Sequence, residues 1–115
     1  MSSRRSTPTA LGRFEHLALL ATLHLGDGAY AVSISEEIGG RTGARPARGA
    51  LYTTLARLEA KGLLASTMGE PMATRGGKAR RYYCLSPAGI AALARARAEL
   101  VAAWPRATRL LGDLR

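Results

Sequence analysis

Two stretches of the chain hold the residue types that bind polyanions. One carries Arg45, Arg48 and Arg57 with Gly49, Tyr52 and Thr53 among them; the other carries Arg75, Lys78, Arg80 and Arg81 around Gly76-Gly77. Guanidinium and ammonium groups pair with phosphate oxygens, and the hydroxyls of Tyr and Thr bond to phosphates or to base edges. Small residues such as Gly49 and Ala56 let a helix approach a groove closely. The bland alternative for the first stretch is a solvated helix face, and for the second a solvated loop. A phosphate loop for nucleotides is a poor reading of Gly76-Gly77, because neither GxxxxGK[ST] nor GxGxxG opens a βα unit there.

Other chemistries lack their residues. His16 and His24 stand eight apart and about 80° off a common helical face. Glu15 is the only acid near them in the chain, so they form neither a metal-ligand set nor a catalytic pair. The single cysteine, Cys84, can make no internal disulfide or zinc cluster and is expected to pack rather than to sense redox. The residues imply no enzyme and no cofactor. Charge points to a partner instead: 17 Lys and Arg stand against 8 Asp and Glu, a formal net charge of +9. Nucleic acid is the leading polyanion and an anionic membrane surface the second. No apolar run approaches the roughly 20 residues that span a bilayer, and no apolar signal core follows the Arg-rich start, so a cytoplasmic location is expected.

At 115 residues the chain fits one compact unit, and its periodicities place the cationic stretches. From Leu11 to Leu25, Phe14, Leu17, Ala21 and Leu25 recur at helical spacing, with Leu20 and Leu23 beside them. Gly26-Asp27-Gly28 turns the chain. A shorter helix follows from Ala29 to Thr42 with Val32, Ile34 and Ile38, its end weakened by Gly39-Gly40 at about 1 kcal/mol per glycine. A third helix is expected from Pro46 or Ala47 to Gly62. Leu51, Leu55 and Leu58 form its inner stripe, so Arg45, Gly49, Tyr52, Thr53 and Ala56 project outward, flanked by Arg48 and Arg57. Two strands, Leu63 to Met68 and Arg80 to Leu85, enclose the cationic loop. Tyr83 and Leu85 share one face, Tyr82 and Cys84 the other.

Ser86-Pro87 is a strong helix start. The helix should run to about Trp104 with an apolar stripe of Ile90, Leu93, Leu100, Val101 and Trp104, interrupted by Arg97. So long a helix exceeds what a small domain needs. Its stripe is expected to be covered by the same helix, or by the first helix with Phe14 and Leu17, of a second subunit. Pro105 should kink or end it, and Ala107, Leu110, Leu111 and Leu114 keep helical spacing in the tail. The fold class is mainly α with a two-stranded β-wing: a winged helix-turn-helix plus a C-terminal dimerisation helix. The expected organisation is a mobile basic arm over 1–9, a DNA-binding domain over 10–86, and a dimerisation helix and tail over 87–115.

The chain resembles the PadR family of bacterial transcriptional regulators in its compact form. The resemblance rests on Leu23-His24-Leu25-Gly26, Tyr30, Gly49-Ala50-Leu51-Tyr52-Thr53-Thr54-Leu55, Arg57-Leu58-Glu59, Gly62-Leu63-Leu64, and the run from Arg80 to Gly89. It implies a homodimeric repressor whose third helix and wing bind an inverted repeat in double-stranded DNA. It also implies release by a small hydrophobic or phenolic effector, for which Trp104 is the candidate stacking residue beside its plainer role in packing. The Gly39-Gly40 pair departs from the family pattern. A winged-helix module that binds an acidic protein is the alternative function, since winged domains serve more than one use.

Overall fold

The computed structural model describes residues 11–69 and 79–112. Helix α1 spans Arg13–Leu25, followed by a 3-10 turn at Gly26–Gly28, α2 (Ala31–Thr42) and α3 (Arg48–Ala60). Strands β1 (Leu64–Met68) and β2 (Arg81–Leu85) form an antiparallel pair in the register Leu64 to Leu85 through Met68 to Arg81. Helix α4 covers Pro87–Ala103 and α5 covers Pro105–Gly112. The arm with Arg4 and Arg5, and the wing residues Arg75 and Lys78, lie outside the described residues.

Each boundary has a local cause. Glu15 reaches back to accept from the backbone N–H of Gly12 at 3.1 Å, which satisfies a donor at the start of α1. After α3 the chain reverses at Gly62, where φ is +79°, a conformation costly for any residue with a Cβ. Ser86 caps α4 as its sequence promises, accepting from Gly89 N–H at 3.0 Å and donating to the Gly62 carbonyl at 2.5 Å.

Helices α1 and α2 each begin two residues later than their periodicity suggests. At α2 the reason is tertiary: Tyr30 forms a β-bridge with Tyr82, and Tyr83 N–H donates to the Ala29 carbonyl at 2.8 Å. The segment before α2 therefore acts as a third edge for the wing. Helix α2 runs through Gly39-Gly40 to Thr42 without a break. A Cβ on Gly39 would sit 3.1 Å from the Arg45 Cβ, so the glycine admits the returning loop closely.

The core is a single cluster of Leu19, Ile34, Leu51, Leu55, Leu58, Leu64, Tyr83 and Leu93 with several alanines and Ile38. Leu51, Leu55 and Leu58 point inward as the third-helix stripe requires. Leu93 corrects the reading of α4: it is buried in its own chain's core, so this position of the stripe is already covered without a second subunit. Phe14 and Leu17 are partly buried against the same core. Cys84 stands exposed instead of packed, because a two-stranded sheet has only one face on the core and Tyr83 and Leu85 occupy it.

Candidate nucleic-acid interface

The outward face of α3 presents Arg48, Gly49, Tyr52, Thr53, Ala56 and Arg57, all exposed, over a buried leucine stripe. The stripe fixes the helix rotation, so the opposite face is committed to whatever meets the protein from outside. Nothing lies within 4 Å of a Cβ built at Gly49, which leaves this spot open to a groove. Arg45 already has partners within the chain. It lies in the loop before α3, not on the helix, and its guanidinium donates to Ser35 Oγ at 3.0 Å and stands 3.8 Å from Glu36.

Two ties hold the wing to the helices. Arg80, expected as a free loop cation, places its guanidinium 4.2 Å above the Tyr30 ring, and Tyr82 meets that ring edge-on at 5.7 Å between centroids. Such cation–π contacts favour cations over aromatic faces. The second tie is polar: Arg81 donates to Ser66 Oγ at 2.9 Å, and Ser66 donates to Glu59 Oε2 at 2.7 Å. Strand β2, strand β1 and the last turn of α3 are thereby linked. Sequence reading used Tyr30 and Glu59 only as marks of the family resemblance and did not single out Ser66; the separations of these residues from their partners carry no local signal.

An ion pair between buried Glu15 and the partly exposed Lys61 anchors α1 to the end of α3. Lys61 Nζ lies 2.7 Å from Glu15 Oε2, and Glu15 is 8% exposed. Burial alone would raise the Glu15 pKa. The Lys61 hydrogen bond, the Gly12 N–H and the charges of Lys61 and Arg57 outweigh it, so the carboxyl titrates below its ordinary value. The Tyr83 phenol is pushed up, chiefly by burial. His24 has an acid that chain order hides: Glu37 of α2 lies 3.7 Å from its Nε2, with Arg41 at 3.2 Å. Among the described residues no cluster of His, Cys, Asp and Glu could hold a metal ion.

The second candidate surface lies on α4 and beyond. Ile90, Leu100, Val101 and Trp104 are exposed, Trp104 at 63%, and Arg97 is exposed among them. Leu20 and Leu23 of α1, and Leu110 and Leu111 of α5, add further bare apolar surface. No described helix is long and apolar enough to cross a membrane.

Three packed helices followed by a two-stranded antiparallel wing, with α2 and α3 joined by a short loop and α3 facing outward, define a winged helix-turn-helix protein. The chain belongs to the PadR-like family of transcriptional regulators, whose family model matches residues 19–95. It is accordingly a DNA-binding regulator rather than an enzyme. Solved structures agree. A PadR-like transcription factor from Bacteroides fragilis is 25% identical with a TM-score of 0.62, covering 89% of each chain. A transcriptional regulator from Clostridium thermocellum is 26% identical with a TM-score of 0.63, over 83% of this chain and 89% of that one. A PadR family regulator from Eggerthella lenta is 26% identical with a TM-score of 0.62, over 86% and 83%. No curated protein matches the chain.

Proposed function

We propose that the chain is a homodimeric repressor that binds an inverted-repeat operator through α3 and the wing. The observation that carries this reading is the outward face of α3, where Arg48, Tyr52, Thr53 and Arg57 surround the open spot at Gly49. In the dimer the far half of α4, with Leu100 and Val101, and Trp104 just beyond it meet their symmetry mates. This removes apolar surface from water and sets the two α3 helices about 34 Å apart in successive major grooves. Phosphate contacts from Arg48, Tyr52, Arg57 and the wing cations, Arg75 and Lys78 among them, hold the register, while Thr53 reaches base edges. A small hydrophobic or phenolic effector seated against Trp104 would change the angle between subunits and release the DNA.

The test is selection of bound duplexes from random DNA, followed by a salt series on the selected sequence and sedimentation of the free protein. An inverted repeat, a log affinity that falls by about 0.9 per phosphate contacted per decade of salt, and a dimer are expected. A monomer with no preference among duplexes and a flat salt dependence overturns the proposal and favours an acidic protein partner.

A further inference from the structure

Between the start of α2, the outer face of α3 and the wing lies a cavity of about 520 Å³, lined in part by Val32, Tyr52, Met68, Arg80, Arg81 and Tyr83. Its chemistry is divided. Val32 and Met68 supply apolar wall, the two arginines supply positive charge, and the two tyrosines supply hydroxyls. Tyr83 is the unusual member: it is 8% exposed, yet among the described residues its hydroxyl forms no hydrogen bond. Tyr83, Tyr52 and Arg81 line this one cavity together, Tyr52 from α3 and the other two from β2. A buried hydroxyl without a protein partner disfavours the folded state, and such groups call for a ligand or a solvent contact. A tyrosine phenol is protonated at neutral pH, so it can donate.

We infer that this cavity seats one sugar-phosphate of a bound DNA strand, whose phosphate accepts from the Tyr83 and Tyr52 hydroxyls beside Arg81 while the deoxyribose rests against Val32 and Met68. The inference rests on the DNA-binding reading of α3 and adds to it a buried residue that no charge pattern marks. Continuity supports the strand as occupant, since Tyr52 belongs both to the cavity wall and to the outward face of α3. A free organic phosphate shares the same chemistry, and the test separates the two sources.

The test compares the wild-type chain with Tyr83→Phe on a duplex selected by the wild type. Removing a hydroxyl that has no partner among the described residues leaves thermal unfolding unchanged or raises its midpoint. Losing its bond to a charged phosphate weakens duplex binding about tenfold. A purely structural role for Tyr83 would move both readouts in the same direction. On the wild-type chain, a scan of single neutral methylphosphonates along each strand should reveal one position where affinity falls, and at that position Tyr83→Phe should add nothing further. Thymidine 5′-monophosphate should bind the free wild type no better than millimolar. The inference is overturned if the wild type binds the duplex and Tyr83→Phe binds it equally, if no methylphosphonate position couples to the variant, or if the free nucleotide binds at micromolar concentration. Failure of the wild type itself to bind any duplex overturns the DNA reading beneath it.

Discussion

Gly89 sits where α4 crosses the corner between α3 and β1, and Gly89→Ala should be the most damaging glycine-to-alanine change among the described residues. A Cβ there would lie 2.1 Å from the Leu63 carbonyl oxygen and 3.1 Å from its carbon. An ordinary carbon–oxygen contact is about 3.3 Å or more, so α4 must retreat by roughly 1 Å. The carbonyl has little room to yield, because it accepts from Ser86 N–H at 3.1 Å. Retreat of α4 also pulls Gly89 N–H from Ser86 Oγ, now 3.0 Å away. Overpacking of this kind costs about 1–3 kcal/mol, and a weakened N-cap adds about 1 kcal/mol. The sum is near 3 kcal/mol. For a chain of this length it lowers the melting midpoint by about 10 °C. Circular dichroism melting measures it directly, and a midpoint within about 2 °C of the wild type would refute the reasoning.

Gly49→Ala is the counterpart in open space: alanine should stabilise α3 by about 0.5–1 kcal/mol, seen as a raised melting midpoint. If α3 enters a groove at this spot, the same variant should bind its duplex less well in a gel-shift titration. Glu15 gives a pH dependence whose sign follows from its depressed folded-state pKa. Its contribution to stability is complete above the ordinary carboxyl range and is lost as pH falls through the lower folded value. Urea unfolding from pH 7 to pH 3 should show this loss. In Lys61→Met the carboxylate stays buried without its partner, so stability at pH 7 should fall by about 2 kcal/mol and recover in part on acidification. Leu100→Ser together with Trp104→Ala should shift sedimentation from dimer toward monomer while the melting curve of the monomer core stays in place.

The helices, both strands and the Ser86 cap were legible because each is written in local spacing. Leucines at i, i+4 and i+7 fix the rotation of α3, and Ser-Pro fixes the start of α4. What the spacing leaves open is which neighbour claims a residue. Leu93 and Leu100 sit on the same stripe of α4, yet the first is buried in its own core and the second is bare. Only the distance of each from the Gly89 crossing separates them. Cys84 follows the predicted alternation, but alternation cannot tell which face of a two-stranded sheet meets the core. Arg45 and Arg80 read as free cations until the fold brings Glu36 and the Tyr30 ring beside them. The Arg81–Ser66–Glu59 chain joins residues 15 and 7 apart, and no short motif encodes it.

These contacts divide the molecule by stiffness. The wing is bound to α3 by the polar chain through Ser66, to the α2 start by the Tyr30 bridge and the Arg80 stack, and α1 is bound to α3 by the Glu15–Lys61 pair. Among the described residues, these contacts join the two strands, the start of α2, α1 and α3 to one another. Helix α4 is different: its buried residues are Gly89 and Leu93, both in its first half, and beyond them its apolar side chains Leu100 and Val101 are exposed. A lever held near one end passes small angular changes to its far end as large displacements. In the proposed dimer the separation of the two α3 helices is then set at the Gly89–Leu63 crossing and at the α4 contact between subunits. Under the same proposal, an effector at Trp104 would leave the cationic face of α3 intact and end binding by altering the angle at which the two proposed reading surfaces meet one duplex.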